Sequence, residues 1–302
     1  ILNQSFQDFE VYIYNNASSD KLTNDLCETI SEDTRFKHIY REKNIGPFKS
    51  IANTILAQNE GYFNLLADDM VLEKTYIETC LETHLNDDSL SIVYTGVKTK
   101  NNDYFSIHFD DYHLMQDSVL ERLLTLANKL TLGTAIYGMM NTKFTNILSD
   151  IWSNDNFTRL GDSMLMNKLL VNSKIKQVKE ALIFRDLTAP KVEYNSRLER
   201  IFYGGHHYAS LPIIRGIQRH YMWHLSEESP LTVKQTELLT LTLVKRFQNE
   251  ILFEINRVTM LLQRNTPYES WSGKTNKFDI SEYMLSDLLS STLFVKRFIS
   301  GS

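Results

Sequence analysis

The strongest constraint on what this chain can fold into is an alternation. Phe9-Glu10-Val11-Tyr12-Ile13-Tyr14 is a β-branched and aromatic run that stops at Asn15-Asn16-Ala17-Ser18-Ser19-Asp20, a cluster of turn and cap formers. Residues 22–30 carry helical spacing, 36–40 predict a second strand, and 47–59 repeat apolar residues at helical intervals. Tyr62-Phe63-Asn64-Leu65-Leu66 predicts a strand ending on Ala67-Asp68-Asp69, followed by a helix over 72–84 and a strand over 90–97. Strands alternating with helices predict an α/β layer structure with a largely parallel sheet. Ligands of such sheets bind beyond the carboxyl ends of the strands. Both Asn15-Asn16 and Asp68-Asp69 stand at predicted strand ends, so position alone marks them as site candidates.

Behind Pro190 the strand signals vanish. Residues 232–264 predict one long amphipathic helix, with Val244, Phe247, Ile251, Ile255, Val258 and Leu262 along a single stripe. A Pro/Ser/Gly/Lys-rich break over 265–277 precedes a last helix over 281–298. The domain boundary is placed near residue 190, between a front domain (1–189) and a helical rear region (190–302).

Composition narrows the function classes. With 42% apolar and 23% charged residues, the chain can bury a core, which excludes disorder as its main state. No stretch reaches the roughly 18 uncharged apolar residues of a membrane-spanning helix. The two cysteines, Cys27 and Cys80, are too few for a disulfide framework and point to a reducing, cytoplasmic compartment. A net charge of −5 argues against a nucleic-acid partner. From Ala189 onward 14 basic residues face 11 acidic ones, against 18 and 26 before it, which fits two modules with different surroundings.

The adjacent carboxylates of Asp68-Asp69 are the sharpest chemical feature. Successive side chains near a strand end diverge, so one acid can face a divalent cation while the other reaches a sugar hydroxyl. Mg²⁺ and Mn²⁺ take one or two carboxylates together with substrate phosphates and waters. The competing reading makes Asp69 the N-cap of a helix beginning near Leu72. His220 and His224, four apart on a predicted helix, have a spacing that can bind zinc, but no third ligand is patterned with them, and a solvated or partly buried helix face is the expected state. Arg215, Arg219, Tyr221 and Trp223 form a basic, aromatic region suited to a membrane surface or to packing on the front domain. Residues 293–298 offer a similar choice, including a homo-oligomer contact.

Several blocks, taken in order, resemble family 2 glycosyltransferases of the GT-A fold. Gln4-Ser5-Phe6 leads into the first strand and Asn15-Asn16-Ala17-Ser18-Ser19-Asp20. Asn44-Ile45-Gly46-Pro47 with Asn53, and then Gly61-Tyr62-Phe63 with Leu66-Ala67-Asp68-Asp69, are similar to the next two blocks. Gly161-Asp162, then Val178-Lys179-Glu180-Ala181-Leu182-Ile183-Phe184-Arg185, is similar to the closing one. The resemblance covers residues 1 to about 188.

It implies a mostly parallel, Rossmann-like sheet flanked by helices, and an inverting, metal-dependent transfer of sugar from a nucleotide-diphosphate donor, a UDP-sugar above all. The acceptor would be the hydroxyl of a glycan or lipid-linked molecule in bacterial surface-polysaccharide assembly. Asn15 and Asn16 would contact the donor's base and ribose, Asp68 its ribose, and Lys49 would be a basic contact to the donor. Asp69 would hold Mn²⁺ or Mg²⁺, and Asp162 would be the catalytic base. Two departures stand out: amides replace the family's acids at 15–16, and Leu66 takes the first position of its Asp-X-Asp motif. The family also places a strand and helix before the Gln-Ser-Phe block, so a further central strand is expected upstream of Ile1. A nucleotidyltransferase of similar fold and a catalytically silent glycan- or partner-binding module remain the alternatives.

Overall fold

The computed structural model describes residues 1–30, 32–45, 47–67, 70–101, 104–110, 114–129, 135–148, 161–186 and 212–264, then 268–269, 275–276, 290, 293–295 and 297–298. At 47–49, 146–148, 161–162, 212, 257–264, 268–269 and 275–276 the description is of backbone alone. Contacts group the chain into two compact units. The first comprises Ile1–Met115, Thr131–Asp155 and Lys168–Thr188, and the second Gln116–Leu130, Asn156–Asn167 and Ala189–Ser302. The boundary expected near residue 190 lies outside the described residues.

The first unit opens with β1 (Val11–Asn15), α1 (Lys21–Ile30) and β2 (Phe36–Tyr40), a right-sized β-α-β crossover whose strands pair in parallel from Val11↔Phe36 to Asn15↔Tyr40. Asp20 starts α1: its carboxylate accepts from Thr23 N–H at 2.8 Å and Thr23 hydroxyl at 2.6 Å. Next come α2 (Pro47–Leu56), β3 (Tyr62–Asn64), β4 (Met70–Leu72), α3 (Tyr76–Leu85), β5 (Leu90–Asn101), β6 (Tyr104–His108), β7 (Met139–Asn141) and β8 (Lys174–Asp186). The larger sheet runs β3-β7-β5-β8-β4, with β6 paired to the far half of β5. The alternation thus yields the expected α/β architecture, with mixed pairing. β5–β8 is parallel, and β3–β7, β5–β7, β4–β8 and β5–β6 are antiparallel.

β5 is the central strand because both of its faces are covered, Ser91 and Thr95 being buried along with its apolar residues. Leu90 through Val97 are buried, on both sides of the pleat. Met70, Leu72, Tyr76, Cys80, Leu182 and Ile183 close over it from β4, α3 and β8. Gly61, at φ +77°, has the left-handed backbone that lets the chain enter β3, and its carbonyl accepts from Thr142 N–H at 3.1 Å.

One expectation needs correcting here. Residues 70–72 form β4 rather than the start of a helix, and α3 begins at Tyr76 with Thr75 as its N-cap. A three-residue Met-Val-Leu run is too short to show periodicity, and only pairing with β8 decides it.

The second unit holds α4 (Val119–Lys129), α6 (Pro212–His224), α7 (Val233–Arg246) and α8 (Gln248–Arg264). The buried α5 (Gly161–Asn172) belongs to it as far as Asn167. The single long helix expected over 232–264 is therefore two. Thr232 and Gln235 form a reciprocal capping box on α7, and the chain leaves helical geometry at Phe247 (φ −104°, ψ 20°) before α8 starts. Apolar spacing continues across such a break, which is why periodicity alone misses it. Val244 and Ile251 are buried as expected, Phe247 and Ile255 only partly, and the side chains of Val258 and Leu262 lie outside the described residues. Residues 268–269 and 275–276 form a short antiparallel pair (β9 and β10) inside the expected break. Of the expected last helix, the described residues 290, 293–295 and 297–298 are helical.

His220 and His224 correct another expectation. Both are about 1% exposed, among the buried Ile213, Ile214 and Ile217 of α6. His224 Nδ1 lies 2.9 Å from Ser229 Oγ, and neither nitrogen of His220 has a hydrogen-bond partner. Glu254 of α8 caps α6, its carboxylate accepting from the N–H groups of Ile213 (3.0 Å) and Ile214 (3.3 Å). Among the described residues no helix is long and apolar enough to cross a membrane.

Candidate functional site

The carboxyl ends of β1 and β2 form a small polar platform. Asn15, 5% exposed, ends β1. Its Nδ2 donates to Asn24 Oδ1 at 2.7 Å and its Oδ1 accepts from Ser18 N–H at 2.8 Å. Asn24 in turn donates to Ser18 O at 3.2 Å, so α1 and the loop before it are laced to the strand end. Between them Ala17 sits at φ +58°, a left-handed conformation costly for a residue with a Cβ and held by these neighbours.

Asn16 makes the second tie. Its Nδ2 donates to Asn44 Oδ1 at 3.1 Å and its Oδ1 accepts from Ile45 N–H at 3.1 Å, joining the loops that follow β1 and β2. The amides at 15 and 16 thus have a physical reason. Each must donate to another amide's oxygen and accept from a backbone N–H at once, which a carboxylate cannot do.

Arg41, which sequence reasoning passed over, follows β2 directly. Its N–H donates to Asn15 O at 3.0 Å, and its guanidinium lies 5.8 Å from the Tyr14 ring. Its Nε is shielded from solvent with no hydrogen-bond partner. Asn44 was quoted only as part of a motif. Its pairing with Asn16 comes from the crossover, which no local spacing announces.

Asp68 and Asp69 lie outside the described residues, and Ala67 and Met70 flank them. Leu66 is 42% exposed and Met70 buried, with Met70 N–H donating to Ala67 O at 3.2 Å. Before the acids, Asn64 is pinned by the wholly buried Tyr76, whose hydroxyl is 2.7 Å from Asn64 Oδ1 and 3.0 Å from Tyr137 O. Burial, reinforced by Cys80, raises the Tyr76 phenol well above its ordinary pKa, so it stays a neutral donor. The Cys80 thiol is pushed up to about 12 by burial and is chemically inert. Because 70–72 is a strand and α3 starts only at Tyr76, position 69 does not stand at the N-terminus of the next helix.

Lys49 is the third residue of α2 and Asp162 the second of α5, in the second unit, and the side chains of both lie outside the described residues. The described geometry therefore brings together Asn15, Asn16, Asn44 and Arg41. Among the described residues there is no group of three or more His, Cys, Asp or Glu able to hold a metal ion, so the histidines of α6 have no third ligand there.

The family model for "Glycosyl transferase family 2" matches residues 1–173. The chain belongs to glycosyl transferase family 2. Its fold is that of S. aureus TarS, a crystal structure it matches with a TM-score of 0.58 at 14% identity, over 81% of this chain and 39% of that one. A structure of TarS residues 1–349 matches with a TM-score of 0.55 at 14% identity, over 86% of this chain and 74% of that one. The chain thus spans well under half the length of the longer TarS structure. No curated protein sequence matches it. The GT-A fold and the glycosyltransferase class expected from the sequence are those of the family.

Proposed function

We propose that this glycosyltransferase is an inverting enzyme of surface-polysaccharide assembly that moves sugar from a nucleotide-diphosphate donor, a UDP-sugar, to the hydroxyl of a glycan or lipid-linked acceptor. The observation that carries this reading is the tied platform of Asn15, Asn16, Asn44 and Arg41 in a family 2 chain. It is rigid, polar and at the strand ends, where α/β sheets take their ligands. The amides suit base and ribose edges, which both donate and accept. The guanidinium of Arg41, with Lys49 of α2, suits a diphosphate.

Asp68 would take a ribose hydroxyl, and Asp69 would hold Mn²⁺ or Mg²⁺, whose charge, when bound, offsets that building on the departing diphosphate. The exclusion of Asp69 as a helix cap supports a ligand role for that acid. A sugar hydroxyl is a poor nucleophile, and Asp162 would accept its proton as the oxygen attacks the anomeric carbon. The rear helices would shape the acceptor side, rest peripherally on the inner face of the membrane, or make a homo-oligomer contact. The front domain is read as 1–189 and the rear region as 190–302.

Calorimetry of nucleotide sugars with and without Mn²⁺ tests the reading. Asp69→Ala should abolish metal-dependent donor binding, and unchanged affinity would refute its role. Asp162→Asn should leave donor affinity within about threefold and lower transfer by about 10²–10⁴-fold. Near-normal turnover would rule out Asp162 as the base. Donor binding by the parent without turnover of any acceptor would favour a silent binding module. Pyrophosphate release from a nucleoside triphosphate would favour a nucleotidyltransferase.

A further inference from the structure

Among the described residues, β6 is an open sheet edge. Its five residues, Tyr104-Phe105-Ser106-Ile107-His108, are all exposed, and among the described residues only β5 pairs with it. Exposure reaches 82% at Tyr104, 71% at Phe105 and 59% at Ile107, with Phe109 next in the chain at 47%. Natural edges are blunted by Pro, by charged side chains or by bulges, because an open row of N–H and C=O groups recruits another strand. β6 carries no Pro, Lys, Arg, Asp or Glu. Its register with β5 is unbroken from Val97↔His108 to Asn101↔Tyr104.

The hairpin is also built to stay put. Thr99 Oγ1, Ser106 Oγ and His108 Nε2 lie 2.7–3.0 Å from one another on one face. A Cβ built on Gly96 would lie 2.4 Å from the Phe109 ring, so that ring rests directly on the glycine.

We propose that β6 pairs antiparallel with β6 of a second copy of this chain, about a two-fold axis through Ser106. The strand is complementary to itself in that register. Phe105 of each copy meets Ile107 of the other on one face. On the opposite face Tyr104 meets His108, and the two Ser106 residues face each other. No like charges are opposed, and aromatic–aliphatic cross-strand pairs of this kind are favourable.

The exposed apolar area is the upper limit of what this contact buries, since side chains on the faces of a paired edge stay partly open to solvent. At roughly 200 Å² per aromatic side chain, the exposed parts of Tyr104, Phe105 and Phe109 amount to about 400 Å², before Ile107 is added. A standard interface buries about 800 Å² per partner, a little over half of it apolar.

Sedimentation equilibrium of the full chain should give a concentration-dependent mass rising to twice 35.2 kDa. Ile107→Glu, whose carboxylate has Lys98 directly across the hairpin, should keep the fold and weaken association at least tenfold. Register is read by mild oxidation. Ser106→Cys places two thiols at opposed positions of an antiparallel pair, within disulfide reach, and should cross-link to a dimer. Tyr104→Cys sets its thiols about 13 Å apart along the strands and should not. Cys27 and Cys80 are buried and add little background. A parent chain monomeric at every concentration overturns the proposal, as does a dimer unaffected by Ile107→Glu or Tyr104→Cys cross-linking as fast as Ser106→Cys.

Discussion

Asn15→Asp probes the polar platform most directly, because it places an acid at a position where this fold is built around an amide. The parent Nδ2 donates to Asn24 Oδ1 at 2.7 Å in a site only 5% exposed. The carboxylate keeps the acceptor facing Ser18 N–H but sets a second oxygen against that of Asn24. Turning the Asn24 amide over would restore a donor there, at the loss of its bond to Ser18 O at 3.2 Å. One lost bond plus an unmatched buried group costs about 2–3 kcal/mol. That corresponds to a fall in melting temperature of about 3–5 °C for a protein of this size.

The pH dependence follows with a definite sign. Burial and the facing oxygen raise the new carboxyl in the folded state, so below neutrality the folded form binds the extra proton more readily than the unfolded one. The deficit is then full at pH 8 and shrinks as pH falls through the raised value toward about 4, where the unfolded Asp also titrates. Thermal melts of both proteins at pH 8 and pH 5 measure it. Equal stability at pH 8, or a deficit that widens in acid, would refute the account of the platform.

Tyr76→Phe strands Asn64 Oδ1 and Tyr137 O in the core beside β3, and should lower stability by about 1–3 kcal/mol in urea melts. An unchanged midpoint would mean that this hydroxyl does not hold the strand leading to Asp68. Burial holds His220 down to about 3 and His224 to about 4, so below the ordinary value near 6.5 the unfolded state binds more protons than the folded one. Their neutral, buried state therefore supports the fold fully above about 6.5, and each loses roughly 2 kcal/mol by pH 5. His220→Leu should lose correspondingly less between pH 7.5 and pH 5 in urea melts, and parallel losses in the two proteins would contradict this.

Much of the fold was legible because strands and helices of the front domain advertise themselves locally. Val11–Asn15 and Phe36–Tyr40 are β-branched and aromatic runs, and Asp20 is a helix cap three residues before Thr23. The elements that escaped are those with no local signature. β4 is three residues long, and β6 is a strand because Asn101 and Tyr104 close a hairpin. The break at Phe247 leaves the apolar spacing on either side of it nearly in phase.

The sequence by itself determined the strand–helix alternation that opens the front domain, the family, and which polar residues stand at strand ends, since these depend on neighbours a few positions apart. Only the tertiary structure decided what those residues bond to. It set Asn16 against Asn44, 28 positions away, and drew Arg41 up to the carbonyl of Asn15. It also sealed His220 and His224 in a core. Hydrogen bonds and burial follow from which elements meet across the crossover and the helix interfaces, and no window of local sequence carries that information.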